Sequence, residues 1–126
     1  MPDSDLVDSK TLSIAVVGPC ASGKSTLTKA LKAAGYEARH PAQEHSYVPN
    51  MWQRISQPDL LISLDVDYAN TLARRPHTDA GPQRLEEQRL RLRHARENCD
   101  LYLDTSGLSE GEVETAVFNF LSALHD

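Results

Sequence analysis

The spacing of apolar positions changes several times along the chain, and each change marks an element. Leu12, Ile14, Ala15, Val16 and Val17 form a near-continuous apolar run, the pattern of a strand buried on both faces in a parallel sheet. Beyond a polar, glycine-containing break, Leu27, Ala30, Leu31 and Ala34 recur at the i, i+3, i+4, i+7 spacing of one helix face, and Gly35 supplies a left-handed stop. Tyr36 to His40 reads as a brief strand ended by Pro41 and the polar turn Gln43-Glu44-His45-Ser46. Val48 to Ser56 reads as a short helix with Pro49 near its start and Met51, Trp52 and Ile55 on its apolar side.

The second strong strand is Asp59 to Asp65, continued by Val66-Asp67, and a short helix over Tyr68 to Arg75 carries Ala69, Leu72 and Ala73 as a small stripe. Gly81-Pro82 begins a helix running to about Asn98, with Leu85, Leu92 and Ala95 on one face. Asp100 to Asp104 is the last strand. Ser109 and Glu112 form a capping box that opens the clearest amphipathic helix, with Val113, Ala116, Val117, Phe120, Leu121 and Leu124 as its stripe.

Strands that alternate with helices predict an α/β fold: a three-layer sandwich with a parallel sheet of about four strands ordered 2-1-3-4. Residues 1–10, with Asp3, Asp5 and Asp8 beside Pro2, read as a flexible tail, and 11–126 as a single domain. A length of 126 residues suffices for one core. The net charge of −5 argues against a general basic surface for nucleic acid and favours a small substrate. Cys20 and Cys99 have no metal-ligand spacing, and no apolar segment is long enough for a signal peptide or membrane span. A reduced cytoplasm is the expected home.

The break between the first strand and helix is Gly18-Pro19-Cys20-Ala21-Ser22-Gly23-Lys24-Ser25, a complete G-x-x-x-x-G-K-[ST] phosphate loop in its strand-to-helix context. A polyphosphate needs many donors in a small volume, and the amides of a tight loop and a helix N-terminus supply them. Gly18 and Gly23 permit the turn and close phosphate approach, Lys24 reaches the β and γ oxygens, and Ser25 offers a hydroxyl to magnesium. Ala21, Ser22 and Thr26 join the nucleotide-binding set through backbone or hydroxyl groups. Cys20 reads as an ordinary loop residue, with a redox switch as the alternative.

In open α/β sheets ligands lie beyond the carboxyl ends of the strands, which makes Glu44 the first candidate for the acid that positions magnesium or activates an acceptor hydroxyl. His45 either orients the acceptor or caps the turn. Trp52 is either core or one wall of an acceptor pocket. Asp65 is the second magnesium candidate, and Asp67 reads more readily as a helix cap. Seven arginines fall between Arg74 and Arg96, in a stretch expected to act as a lid. Arg74, Arg75 and Arg84, at its helix ends, are the candidates for phosphate, whereas Arg91, Arg93 and Arg96 are expected at the surface, where glutamates at helical spacing pair with some of the stretch. The turn Thr105-Ser106-Gly107-Leu108 is either a purine-reading loop or an ordinary connection.

The phosphate loop, the segment Pro58 to Asp67 followed by Leu72-Ala73-Arg74-Arg75, and the strand and turn from Asp100 to Gly107 together resemble the P-loop nucleoside and nucleotide kinase family, thymidylate kinase among its monophosphate kinases. The resemblance implies ATP and magnesium as cofactors, phosphate contacts from Arg74 and Arg75, and an adenine approached by Thr105 to Leu108. Only about two dozen residues separate the first helix from Asp59, where that family usually has a further strand and a helical acceptor-binding region. Gln43-Glu44-His45 stands where an Asp-Arg pair is expected. No N-K-x-D guanine motif is present. The expected activity is phosphoryl transfer from ATP to a small acceptor such as a nucleoside or nucleotide; the alternative is a regulatory module that binds or slowly hydrolyses ATP.

Overall fold

The computed structural model describes residues 12–74 and 81–125. The expected tail over 1–10, Arg75 and the rest of the loop to residue 80 lie outside the described residues. Strand β1 (Ser13–Val17) is followed by helix α1 (Lys24–Ala33), strand β2 (Glu37–Arg39), a single 3-10 turn (Gln43–His45) and helix α2 (Met51–Ser56). Strand β3 (Leu60–Asp65), helices α3 (Tyr68–Arg74), α4 (Pro82–Arg91) and α5 (Arg93–Asn98), strand β4 (Leu101–Asp104) and helix α6 (Glu110–His125) complete the order. The four strands form one parallel sheet ordered β2-β1-β3-β4, the arrangement expected from the alternation of elements.

Successive strand residues point to opposite faces, and β1 is covered on both. Ile14 and Val16, with Ile62 and Leu64 of β3, pack under Leu27 and Leu31 of α1 and Val113, Val117 and Leu121 of α6. Ala15, Val17 and Leu61 face Trp52, Leu92 and Ala95 on the other side. This double cover is why the β1 sequence is a continuous apolar run and not an alternating one. The register pairs Val17 with Ser63 and Asp65 with Asp104, so β3 and β4 finish together while β1 ends two residues earlier and leaves room there for the loop that follows it.

Two aspartates extend the ladder at strand entries. The Asp59 amide donates to the Ser13 carbonyl at 2.8 Å, and its Oδ2 accepts from the Ser13 amide at 2.9 Å. Asp100 repeats the clamp on Leu61, both contacts at 2.8 Å. Each carboxylate satisfies a backbone donor that no strand residue reaches.

Several boundaries differ from the sequence pattern. Helix α2 begins at Met51, not Val48, because the Ser46 hydroxyl accepts from the Val48 amide and holds that segment as a turn. The helix expected from Pro82 to Asn98 is broken at Leu92, where Gln43 Nε2 donates to the Arg91 carbonyl and enters the helical ladder. Among the described residues no helix is long and apolar enough to cross a membrane.

Candidate functional site: a phosphate-loop cleft

Between β1 and α1 the chain turns back tightly over the end of β3. A Cβ on Gly18 would stand 2.6 Å from Ser22 Oγ and 2.9 Å from the Leu64 carbonyl oxygen, so only glycine admits this approach. Gly23 has φ +97° and Ala21 φ +68°, two left-handed positions that fold the loop around its own concavity. Gly23 is also the N-cap of α1 and no side chain caps that helix, leaving its first amides to a ligand. They open into a cleft of about 670 Å³ whose floor is Ala21 to Leu27.

Lys24 and Glu44 meet across this floor. Lys24 Nζ donates to the Gly18 carbonyl at 2.9 Å and to Glu44 Oε2, forming an ion pair in which both side chains are largely buried. Glu44 Oε1 is buried and has no hydrogen-bond partner among the described residues. Such an oxygen is costly to bury unless something else approaches it. His45 Nε2 lies 3.6 Å from Glu44 Oε2 and 3.9 Å from Cys20 Sγ.

The opposite end of the cleft is held by Arg74 and Thr105. Arg74 donates to the Ala21 carbonyl at 2.7 Å and to the Thr105 carbonyl at 2.6 Å, with Thr105 Oγ1 at 3.1 Å. Thr105 is fully buried, and its Oγ1 lies 3.0 Å from both the Ser22 and Asp65 carbonyl oxygens. The loop after β1 and the turn after β4 are therefore cross-linked by polar contacts. Leu108, Val113, Glu110 and Glu114 form the adjoining wall.

Of the residues singled out in the sequence, Ala21, Ser22, Gly23, Lys24, Ser25 and Thr26 line the cleft, with Glu44, His45, Arg74, Thr105 and Leu108 around them. Gly18 lies behind the loop and takes part through its carbonyl. Ser106 and Gly107 do not line it. Instead, Ser106 Oγ accepts from the Asp67 amide, and Gly107 turns the chain with φ +74°.

Position decides Trp52 for the core and corrects the expectations for Asp65, Arg84 and the lid. Trp52 is 5 % exposed, packs against the second sheet face and donates through Nε1 to His94 Nδ1 at 3.2 Å, so it forms no wall of the cleft. Asp65 does not face the cleft either. Its Oδ1 accepts from Arg89 Nε at 3.1 Å and from the Val66 amide at 2.8 Å, and its Oδ2 accepts from the Tyr102 hydroxyl at 2.7 Å, which leaves a metal ion little purchase. Arg84 is exposed and outside the cleft lining. The lid expected over 74–96 is, in its described part, a layer of the fold: Leu85, Gln88, Leu92 and Ala95 are buried.

Three groups outside the cleft have shifted ionisation. Hydrogen bonds from the Asn70 amide and side chain hold the Asp67 carboxyl below the usual range, consistent with a helix cap. Partial burial, the hydrogen bond to Asp65 and that carboxylate's charge push the Tyr102 phenol up to about 12. Burial also raises the Cys99 thiol.

Sequence reasoning missed the supports of the site. Buried Gln88 accepts from the Cys20 amide at 2.9 Å and donates to Cys20 Sγ at 3.4 Å. Gln43, with no exposed surface, donates to the Val48 and Arg91 carbonyls and accepts from the Trp52 amide at 2.8 Å. Arg91, expected at the surface, donates to the Glu44 carbonyl at 3.3 Å and stacks 4.4 Å over the Tyr47 ring. Only their helical spacing among apolar neighbours, Leu85 to Gln88 and Gln88 to Leu92, hinted that one polar position faced inward. No protein-family model matches the chain, and no curated protein sequence matches it.

Proposed function

We propose that this chain is a P-loop NTPase-type phosphotransferase that binds ATP and passes its γ-phosphoryl group to a small hydroxyl-bearing acceptor of the nucleoside or nucleotide class. The observation that carries the reading is the uncapped α1 N-terminus with Lys24 beside it, facing Glu44 across the cleft. The loop amides and Lys24 take the donor phosphates, and the polyphosphate replaces Glu44 as the partner of Lys24. Glu44, released from that ion pair, either orients the acceptor hydroxyl and receives its proton or turns to magnesium. Arg74 is committed to backbone carbonyls and holds the loop and the β4 turn at a fixed separation, where a base rests against Thr105 and Leu108. The Ser25 hydroxyl, in the exposed part of the cleft, and the unpartnered Glu44 Oε1 fit a magnesium ion, whereas Asp65 does not. When bound, magnesium neutralises charge on the β and γ phosphates.

The placement of Trp52 in the core favours a second reading, a module that binds or slowly hydrolyses ATP with no dedicated acceptor. Titration with ATP and magnesium, followed by a coupled screen of nucleosides, nucleotides and small hydroxylated metabolites, separates the two. Lys24→Ala is expected to weaken ATP binding by about 2 kcal/mol, roughly thirtyfold. Unchanged affinity would refute the phosphate assignment, and the melting curve of the variant shows whether it folds. An acceptor that raises ADP release supports the kinase. If none does while Lys24→Ala still weakens binding, the module stands.

A further inference from the structure

Cys20, Glu44 and His45 place one sulfur, one carboxylate oxygen and one imidazole nitrogen all within 4.8 Å of one another on the cleft wall. The sulfur and nitrogen are 3.9 Å apart, and the nitrogen lies 3.6 Å from Glu44 Oε2. A tetrahedral ion with metal–sulfur and metal–nitrogen bonds of about 2.3 and 2.0 Å sets a sulfur–nitrogen edge near 3.5 Å. Ordinary side-chain adjustment closes that difference. Among the described residues Glu44 Oε1 is buried with no hydrogen-bond partner, so this carboxylate has an oxygen to spare for an ion. The buried Gln88 amide holds Cys20 in place, its Oε1 accepting from the Cys20 amide and its Nε2 donating to Sγ, as an outer-shell group holds a metal ligand. The His45 side chain is 45 % exposed, which gives an ion its way in.

We propose that Cys20 Sγ, His45 Nε2 and the Glu44 carboxylate form a binding site for a borderline-soft divalent cation of the zinc class, with a fourth position left to water or a ligand oxygen. One thiolate and one imidazole exclude magnesium and calcium, which take oxygen ligands, and suit zinc or cobalt. On binding, the Cys20 thiol gives up its proton to solvent as the sulfur–metal bond forms. Glu44 turns from Lys24 to the ion, so the ammonium and the cation compete for one carboxylate. The site shares Glu44 with the proposed phosphoryl transfer, so the two uses exclude each other, and it is tested without nucleotide.

The full chain, without an affinity tag, is titrated with cobalt(II) and zinc(II) alone. One equivalent of cobalt is expected to produce near-ultraviolet thiolate-to-cobalt absorption that zinc abolishes, with about one proton released per ion. Cys20→Ser should remove that absorption, His45→Gln should weaken zinc binding by at least about tenfold, and Cys99→Ser should change neither. His45 is exposed enough that its variant tests the site without testing the fold. No thiolate band in the unmodified chain, or wild-type binding in both Cys20→Ser and His45→Gln, would overturn the proposal.

Discussion

Two carboxyl side chains near the ends of the strands are partnered differently. Glu44 lies buried against Lys24 with one oxygen that has no partner among the described residues, whereas Tyr102, Arg89 and the Val66 amide saturate Asp65. The Tyr102 phenol, with an ordinary value near 10, is raised to about 12 by partial burial and by its bond to Asp65. Because the folded value lies above the unfolded one, its contribution to stability is fully present below pH 10 and is lost as pH rises from about 10 to about 12. A spectrophotometric titration of the tyrosines should show one phenol ionising late, and Tyr102→Phe should remove that step and flatten the alkaline fall in melting temperature. Four tyrosines titrating together near 10 would contradict the assignment.

At the scale of elements, the short turn after β2 positions Glu44 and His45, and that turn has little to stabilise it alone. A 3-10 turn of three residues supplies few hydrogen bonds of its own. Gln43 compensates by tying it to Val48, to the amide of Trp52 and to the Arg91 carbonyl where α4 gives way to α5. Arg91 adds a contact to the Glu44 carbonyl from the same helix. Gln43→Ala is therefore expected to cost roughly 1 to 3 kcal/mol in urea unfolding, since it removes buried hydrogen bonds to the Trp52 amide and the Arg91 carbonyl, while the Val48 carbonyl keeps the Met51 amide. A loss below about 0.5 kcal/mol would show that the turn is held by other contacts.

For the whole molecule, the two apolar cores share β1 and β3, which argues for one cooperative unit. Leu31, fully buried under the first face, and Leu92, 3 % exposed under the second, sample the two cores separately. Leu31→Ala and Leu92→Ala should each cost about 2 to 5 kcal/mol and shift the same single transition. Leu90→Ala, at a position 71 % exposed on α4, should change stability by less than about 0.5 kcal/mol. If Leu92→Ala left the main transition in place while a separate one appeared, the Arg-rich helices would be an independent cover and not a layer of the fold.

What the sequence determined by itself was local. Chemistry repeated at short range leaves a legible trace: the two-face apolar run of β1, the glycine–lysine–serine spacing of the phosphate loop, the capping box of Ser109 and Glu112, with both hydrogen bonds present, and the alternation that orders the sheet. The tertiary structure alone decided which polar groups meet across long separations. Cys20 and Gln88 lie 68 residues apart, Arg74 and Ala21 53 apart, and Gln43 and Arg91 48 apart. Such contacts depend on strand order and on which helix face turns inward, so residue type alone ranks Asp65 beside Glu44 and Arg84 beside Arg74. Packing then separated them by directing Glu44 and Arg74 to the cleft, Asp65 to Arg89 and Tyr102, and Arg84 to solvent.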